Sequence, residues 1–178
     1  LVQNADDNSY PGGVTPSLKI VLTKEAVVFR NNEVGFDEKN IRALCDVGKS
    51  TKQGGKGYIG QKGIGFKSVF SVTARPEIHS NDYHLAFDRN VCMIVPIWID
   101  DETSWPEETD PADFETWTTS IKLPFDQHAH REFIQLESSL HNTCDANILL
   151  FLNKLQRIVV EIPEATGNQV RYDLQKRT

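Results

Sequence analysis

The sequence contains few cysteines, no long apolar run and no excess of basic charge. Its three cysteines, Cys45, Cys92 and Cys144, are widely spaced and form no C-x-x-C pair of the kind that binds zinc. They predict reduced thiols in an intracellular protein of the cytoplasm or nucleus. No apolar run approaches the roughly 20 residues of a membrane-spanning helix, so no such span is expected. A net charge of -6 gives no broad basic field for a phosphate backbone, and nucleic acid is not an expected partner.

The length of the chain favours one domain. A chain of 178 residues can bury a substantial core but is short for two independent cores, so we expect one domain over residues 1–178. Residues 1–7 have no initiator methionine and no signal-peptide pattern, and they resemble the remainder of a cut helix. We therefore expect the chain to be a fragment of a longer protein.

Apolar periodicity divides the chain into strands and helices. Residues 18–23 and 26–30 are β-rich runs on either side of Lys24-Glu25, which predicts a hairpin. Asp37 can cap a helix whose apolar residues keep helical spacing as far as Val47. Further strands are predicted at 77–80, 83–87, 92–99, 116–123, 157–162 and 169–174, and further helices at 64–72, 130–140 and, capped by Asp145, 146–152. This order favours an α+β fold of two layers over the strict alternation of a doubly wound sheet.

Two segments have compositions that are unsuited to a core. Residues 48–60 are rich in Gly, Lys, Ser, Thr and Gln and have almost no apolar anchor, which predicts a mobile flap. Residues 100–115 contain eight carboxylates and no basic residue. This composition favours a solvated acidic surface loop over a metal site or a partner site.

A glycine-rich turn gives the strongest local signal for chemistry. Residues 60–68 read GQKGIGFKS and stand at the start of the apolar helix predicted from residue 64. Glycines there let the backbone approach an anion closely, and the free N–H groups of a helix start supply hydrogen bonds and partial positive charge. The turn lacks the residue order of a P-loop or of a dinucleotide-binding fold. By itself it fits a turn that is needed only for tight packing as well as it fits a phosphate cradle.

The order of several motifs resembles a known family. The turn is preceded along the chain by LVQNADD at 1–7 and by NNEVGF at 31–36, and it is followed by TSIKL at 119–123. This set is similar to the motifs of the GHKL, or Bergerat-fold, ATPases. The residues within the motifs resemble those of the sacsin and NO VEIN branch. The resemblance is dense over residues 1–80. It implies a mixed, mainly antiparallel sheet with helices on one face, and a mobile ATP lid at 48–60.

The resemblance also implies a ligand and roles for individual residues. Asn4 would hold Mg²⁺, and either Asn31 or Asn32 would accept a hydrogen bond from the adenine amino group. The chain departs from the family pattern here, since an Asn replaces the usual Asp and Glu33 stands where the first glycine is expected. Lys49 either folds over the phosphates or faces solvent. The implied ATP-binding set comprises Asn4, Asp7, Asn31, Asn32, Gly35, Lys49, Gly60, Gly63, Ile64, Gly65, Phe66, Lys67 and Thr119.

These roles imply an ATP-dependent module of a larger protein. We expect a domain that binds Mg-ATP, hydrolyses it slowly in the full-length parent and passes the state of its lid to neighbouring domains or to a protein client, as in chaperone-like relatives. The glutamate that serves the family as general base would precede Leu1, so no catalytic residue is assigned. The alternative is a scaffold that keeps the fold and either binds nucleotide without hydrolysis or binds none.

Overall fold

The described part of the molecule contains one eight-stranded sheet. The computed structural model describes residues 1–45, 64–100, 117–126, 130–143, 146–164 and 168–176. Their strands are β1 (Ser17–Leu22), β2 (Ala26–Asn31), β3 (Glu77–Ser80), β4 (Tyr83–Asp88), β5 (Cys92–Trp98), β6 (Thr119–Pro124), β7 (Arg157–Pro163) and β8 (Gln169–Gln175). They lie in the order β5-β4-β3-β6-β2-β1-β7-β8. Of the neighbouring pairs, β1 and β7 run parallel and the others are antiparallel.

The described helices are short apart from one. They are α1 (Val2–Asp7), α2 (Glu38–Cys45), α3 (Ile64–Lys67) and α4 (His130–Thr143), and two 3-10 helices cover Ser68–Ser71 and Ala146–Phe151. Asp37 caps α2 as expected, because its carboxylate accepts the N–H of Asn40 at 2.9 Å while the Asn40 side chain accepts the N–H of Asp37 at 2.9 Å. No helix in the described part of the chain has the length and apolar character needed to cross a bilayer.

The two faces of the sheet differ in chemistry. Strand residues alternate between faces, so Leu18, Ile20 and Leu22 of β1 share one face and enter the hydrophobic core. Each described helix contributes apolar side chains to the same core or packs against it, so the helices cover this face. The helix side chains in the core include Ala5, Leu44, Phe66 and Leu149, and Phe133, Leu136 and Leu140 of α4 pack against it.

The opposite face carries a polar row in register across the sheet. Lys19 on β1 pairs with Arg30 on β2, Arg30 with Ser120 on β6, and Ser120 with His79 on β3. All four residues are buried. Lys19 forms an ion pair with Glu161 of β7, with 3.1 Å between Nζ and Oε1. Buried charges require such partners, since desolvation otherwise disfavours the charged form.

The structure confirms the α+β class and the mixed, mainly antiparallel sheet. Most predicted strands agree with the observed bounds within one or two residues; the predicted run at 116–123 is observed as Thr119–Pro124. The helix predicted at 146–152 was wrong in type, because Ala146–Phe151 is a 3-10 helix. Its tighter turn brings residues three apart onto one side, which buries Leu149 and Leu152 while Leu150 and Phe151 stay exposed. The predicted flap at 48–60 and residues 101–115 of the predicted acidic loop lie outside the described residues.

Candidate functional site

Several of the predicted site residues lie at one edge of the sheet, where central strands begin or end. Asn31 ends β2, Thr119 begins β6 and Ser80 ends β3, and the register pairs Asn31 with Thr119 and Thr119 with Ser80. The Ser80 and Thr119 hydroxyls form a hydrogen bond at 2.6 Å. Ser80 Oγ also accepts the N–H of Phe36 at 2.8 Å, which joins the loop after β2 to this edge. The antiparallel pairing therefore unites residues that are up to 88 positions apart (119 minus 31).

The side chain of Asn31 is held by three neighbours. Its Nδ2 donates to the Ser17 carbonyl at 2.9 Å and to the Tyr10 hydroxyl at 2.8 Å. Its Oδ1 accepts from Asn8 Nδ2 at 3.4 Å, a long contact. The Tyr10 hydroxyl in turn donates to the Ala5 carbonyl in α1 at 2.7 Å. A chain of hydrogen bonds therefore connects α1 to the end of β2.

Both ends of the Asn32 side-chain amide form hydrogen bonds with backbone groups. Its Oδ1 accepts the N–H of Ser17 at 2.8 Å, and its Nδ2 donates to the Thr15 carbonyl at 2.9 Å. These bonds hold the segment that leads into β1 against the end of β2. An amide with both ends bound to main chain acts as a backbone bridge. Of the two asparagines left open by the sequence, Asn31 is the one whose oxygen has only a long contact among the described residues.

Gly35 is required by the shape of the loop after β2. Its φ of +85° lies in the left-handed region, and a Cβ there would stand 2.2 Å from Nδ2 of Asn81. That Asn81 amide donates to the carbonyl of Phe36 at 3.1 Å. The conformation and the close approach of Asn81 both explain a glycine at this position.

Replacement of Gly35 by alanine is expected to lower the free energy of unfolding by roughly 1–3 kcal/mol, because it adds backbone strain and displaces Asn81. Gly12→Ala is the matched control, since nothing lies within 4 Å of a Cβ there. Chemical denaturation of both variants checks the prediction. Equal stability of the two variants would contradict it.

Helix α1 presents Asn4 and Asp7 to solvent and buries Ala5 and Asp6. The side chain of Asn4 is therefore exposed, and its proposed metal contact stays a prediction. No hydrogen bond of the Asn4 side chain occurs within the described residues. The side chain of Asp7 accepts a hydrogen bond from Gln3 at 3.2 Å on the same helix.

Asp6 anchors α1 to the turn before β7. Its carboxylate accepts the backbone N–H groups of Asn153, Lys154 and Leu155 at 2.8, 2.7 and 2.9 Å. Burial alone would raise the pKa of Asp6, but these backbone hydrogen bonds favour the charged form and hold its pKa below the usual value. The ammonium of Lys154 donates to the carbonyls of Asp7 and Asn8 at 3.0 and 2.6 Å and so caps the end of α1. The helix that carries Asn4 is thereby fixed from two directions.

The glycine-rich turn is described only in part. Ile64 and Gly65 begin α3, Phe66 is buried with its ring centroid 5.7 Å from that of Phe87, and Lys67 is half-buried at the end of the helix. Phe66 therefore has a core role in addition to any backbone contact with a ligand. Three other predicted residues, Lys49, Gly60 and Gly63, lie outside the described residues.

Sequence reasoning missed three residues that organise this edge. Tyr10, Ser80 and Asp6 make the contacts described above, yet none has a spacing that identifies it. Tyr10 lies in a segment with the composition of a loop, and Ser80 ends an ordinary strand. An acidic residue followed by a second one in a short helix is usually a solvated pair. Only the fold reveals their partners, because those partners are distant in sequence.

Comparison with known proteins identifies the family. The family model for the Sacsin domain matches residues 18–122. The chain is 44% identical over 176 residues to protein NO VEIN of Arabidopsis thaliana, a match that covers 89% of this chain and 6% of that protein. It is 41% identical over 68 residues to human sacsin, which covers 38% of this chain and 2% of sacsin. The chain thus spans a small part of the length of these relatives. Because the family model matches more than half of its length, the chain belongs to the Sacsin domain family.

Proposed function

We propose that this domain binds Mg-ATP. The observation that supports the proposal best is the meeting of Asn31, Gly35 and Thr119 at one edge of the sheet, joined to the helix that carries Asn4 through the Tyr10 hydroxyl. Residues to which the resemblance assigns different roles in ATP binding are thereby parts of one hydrogen-bonded region. Membership of the Sacsin domain family gives further support.

The residues present fit the proposed ligand. Mg²⁺ takes hard oxygen ligands and usually keeps several waters and phosphate oxygens, so one exposed amide such as that of Asn4 suffices from the protein. Asn31 has an oxygen that can accept a hydrogen bond from a base. When bound, Mg²⁺ neutralises the charge that the phosphates share. The start of α3 and Lys67 would supply donors to those phosphates.

The wider role is also a proposal. In a longer polypeptide the domain would hydrolyse ATP slowly and transmit its nucleotide state to other domains or to a protein client. This part rests on the resemblance to GHKL ATPases and on the family, since the segment implied as a lid lies outside the described residues.

A second function, a scaffold without turnover, is favoured by a specific observation. Asn31, the last residue of β2, and Asn32, which follows it, are more than nine-tenths buried, and each binds protein groups with both ends of its amide. Hydrogen bonds from both ends of a buried amide suit a structural role. The two functions differ in whether added nucleotide binds and is turned over.

A thermal-shift titration with ATP, ADP and GTP, with and without Mg²⁺, tests the proposed function. A ligand at 100 times its Kd stabilises the folded state by about 2.7 kcal/mol, which corresponds to a rise in Tm of roughly 5–10 °C for a domain of this size. We expect this rise with Mg-ATP. An unchanged Tm at millimolar Mg-ATP would overturn the proposal and favour the scaffold.

Calorimetry on the Asn4→Ala variant tests the metal role. We expect the affinity for Mg-ATP to fall by more than about 10-fold, because a metal contact is lost. Asn90→Ala is the control, since it removes the same group from an exposed position in the turn between β4 and β5. Unchanged affinity in Asn4→Ala would exclude Asn4 as the ligand.

A further inference from the structure

Tyr10 and the Ser17 carbonyl determine which way the Asn31 amide faces. A backbone carbonyl can only accept hydrogen bonds, so the nitrogen of Asn31 must be the atom that lies 2.9 Å from Ser17 O. The second hydrogen on that nitrogen goes to the Tyr10 hydroxyl at 2.8 Å. Both hydrogens are used, and the amide cannot reverse without setting two oxygens against each other.

The Tyr10 hydroxyl is itself fixed in direction. Its own hydrogen goes to the Ala5 carbonyl at 2.7 Å, so toward Asn31 it can only accept. Burial raises the pKa of Tyr10 to about 12, which keeps the hydroxyl protonated at physiological pH and able to donate to Ala5. In the chain of hydrogen bonds from Asn31 through Tyr10 to Ala5, the donor and the acceptor of each bond are therefore determined.

The Oδ1 atom of Asn31 is left as an acceptor with a weak occupant. Asn8 donates an amide hydrogen to it at 3.4 Å, beyond the usual 2.7–3.2 Å of a good N–H···O bond. Asn8 is half-buried and follows the last residue of α1. A ligand amino group that displaced Asn8 could donate to the same oxygen.

We propose that Tyr10 is a specificity-determining positioning residue. Together with the Ser17 carbonyl it holds Asn31 as an obligate acceptor, which selects a nucleobase that presents an amino group over one that presents a carbonyl oxygen there. The inference rests on the proposed nucleotide binding. It gives a physical reason for asparagine in place of the aspartate that is usual in GHKL ATPases, because the inner side of this residue must donate to Ser17 and a carboxylate cannot.

The test compares ATP with inosine triphosphate, which carries an oxygen in place of the adenine amino group. Calorimetry with Mg²⁺ should give the wild-type chain at least a 10-fold preference for ATP, since a site built to receive an N–H is left facing an oxygen. Tyr10→Phe should reduce that preference at least threefold, whereas the control Tyr83→Phe, which removes a hydroxyl on β4, should keep it. Asn31→Asp should weaken ATP binding and not improve it.

The outcomes separate this inference from the proposed function. ATP binding with no preference over inosine triphosphate would overturn the inference and leave nucleotide binding intact. An unchanged preference in Tyr10→Phe would remove the role of Tyr10. Absence of ATP binding would overturn both proposals. If Tyr10→Phe fails to fold, the wild-type preference and the Asn31→Asp affinity still decide, because tighter ATP binding by Asn31→Asp would contradict the locked amide.

Discussion

Asp6→Ala is expected to lower the free energy of unfolding by about 3–5 kcal/mol, or Tm by roughly 10 °C or more. The change leaves the backbone N–H groups of Asn153, Lys154 and Leu155 without the carboxylate that accepts them. Hydrogen bonds to a charged group are among the stronger ones, and buried donors without acceptors carry the full cost of desolvation. Chemical denaturation near neutral pH measures the loss.

The neighbouring residue supplies a matched control. Asp7 has the same charge on the same helix, but its side chain is exposed and bonds only to Gln3 within the described residues. Asp7→Ala should therefore change stability by less than about 0.5 kcal/mol. If Asp6→Ala cost no more than Asp7→Ala, the anchoring of α1 to the turn before β7 would be refuted.

A second large effect, a loss of stability, is expected when the pH is lowered. The protein should lose about 2 kcal/mol of stability between pH 7 and pH 5 through His79 alone. Burial first, and then the charge of His84, lower the pKa of His79 to about 4, although Glu77 acts in the opposite direction and Lys122 adds to the lowering. The groups that face His79 are His84 on β4, Ser120 and Lys122 on β6 and Glu77 on its own strand.

The direction follows from proton binding. In the unfolded chain a histidine binds its proton below about pH 6.5, whereas in the folded protein His79 stays neutral down to about pH 4. The unfolded state therefore binds more protons between these values, and stability falls as the pH is lowered through that range. The stabilising contribution is fully present above about pH 6.5.

Denaturation curves measured at several pH values check this slope. His79→Gln cannot titrate, so its stability should depend less on pH between 7 and 5, whatever its absolute stability. His141→Gln is the control, because it replaces a histidine at an exposed position on α4. A slope in His79→Gln that equals the wild-type slope would contradict the assignment.

The local pattern was enough to predict most of the strands and the cap of α2. The β-rich runs at 18–23 and 26–30, on either side of Lys24-Glu25, indicated the first hairpin, and the observed β1 and β2 pair antiparallel over that region. The type of the segment at 146–151 could not be predicted, since a six-residue run with five apolar side chains suits both an α-helix and a 3-10 helix. Tertiary burial of Leu149 and Leu152 decided between them.

The candidate site was predictable only as a set of residue types. Gly35 was identified from the sequence, and its positive φ gives the physical reason for a glycine. Its proposed contact with nucleotide, like those of Asn4, Asp7 and Thr119, stays a prediction. The difference between Asn31 and Asn32 depends on which backbone groups surround each amide, and no local pattern encodes that.

By itself the sequence determined the α+β class, the positions of the strands and the motif order that led to the family. The tertiary structure alone decided that β7 adds parallel to β1, that Asp6 binds the turn before β7, and that Tyr10 orients Asn31. The physical reason is the distance along the chain between the interacting residues. Periodicity, caps and glycine turns depend on residues a few positions apart, whereas these three contacts join groups brought together only when the sheet forms.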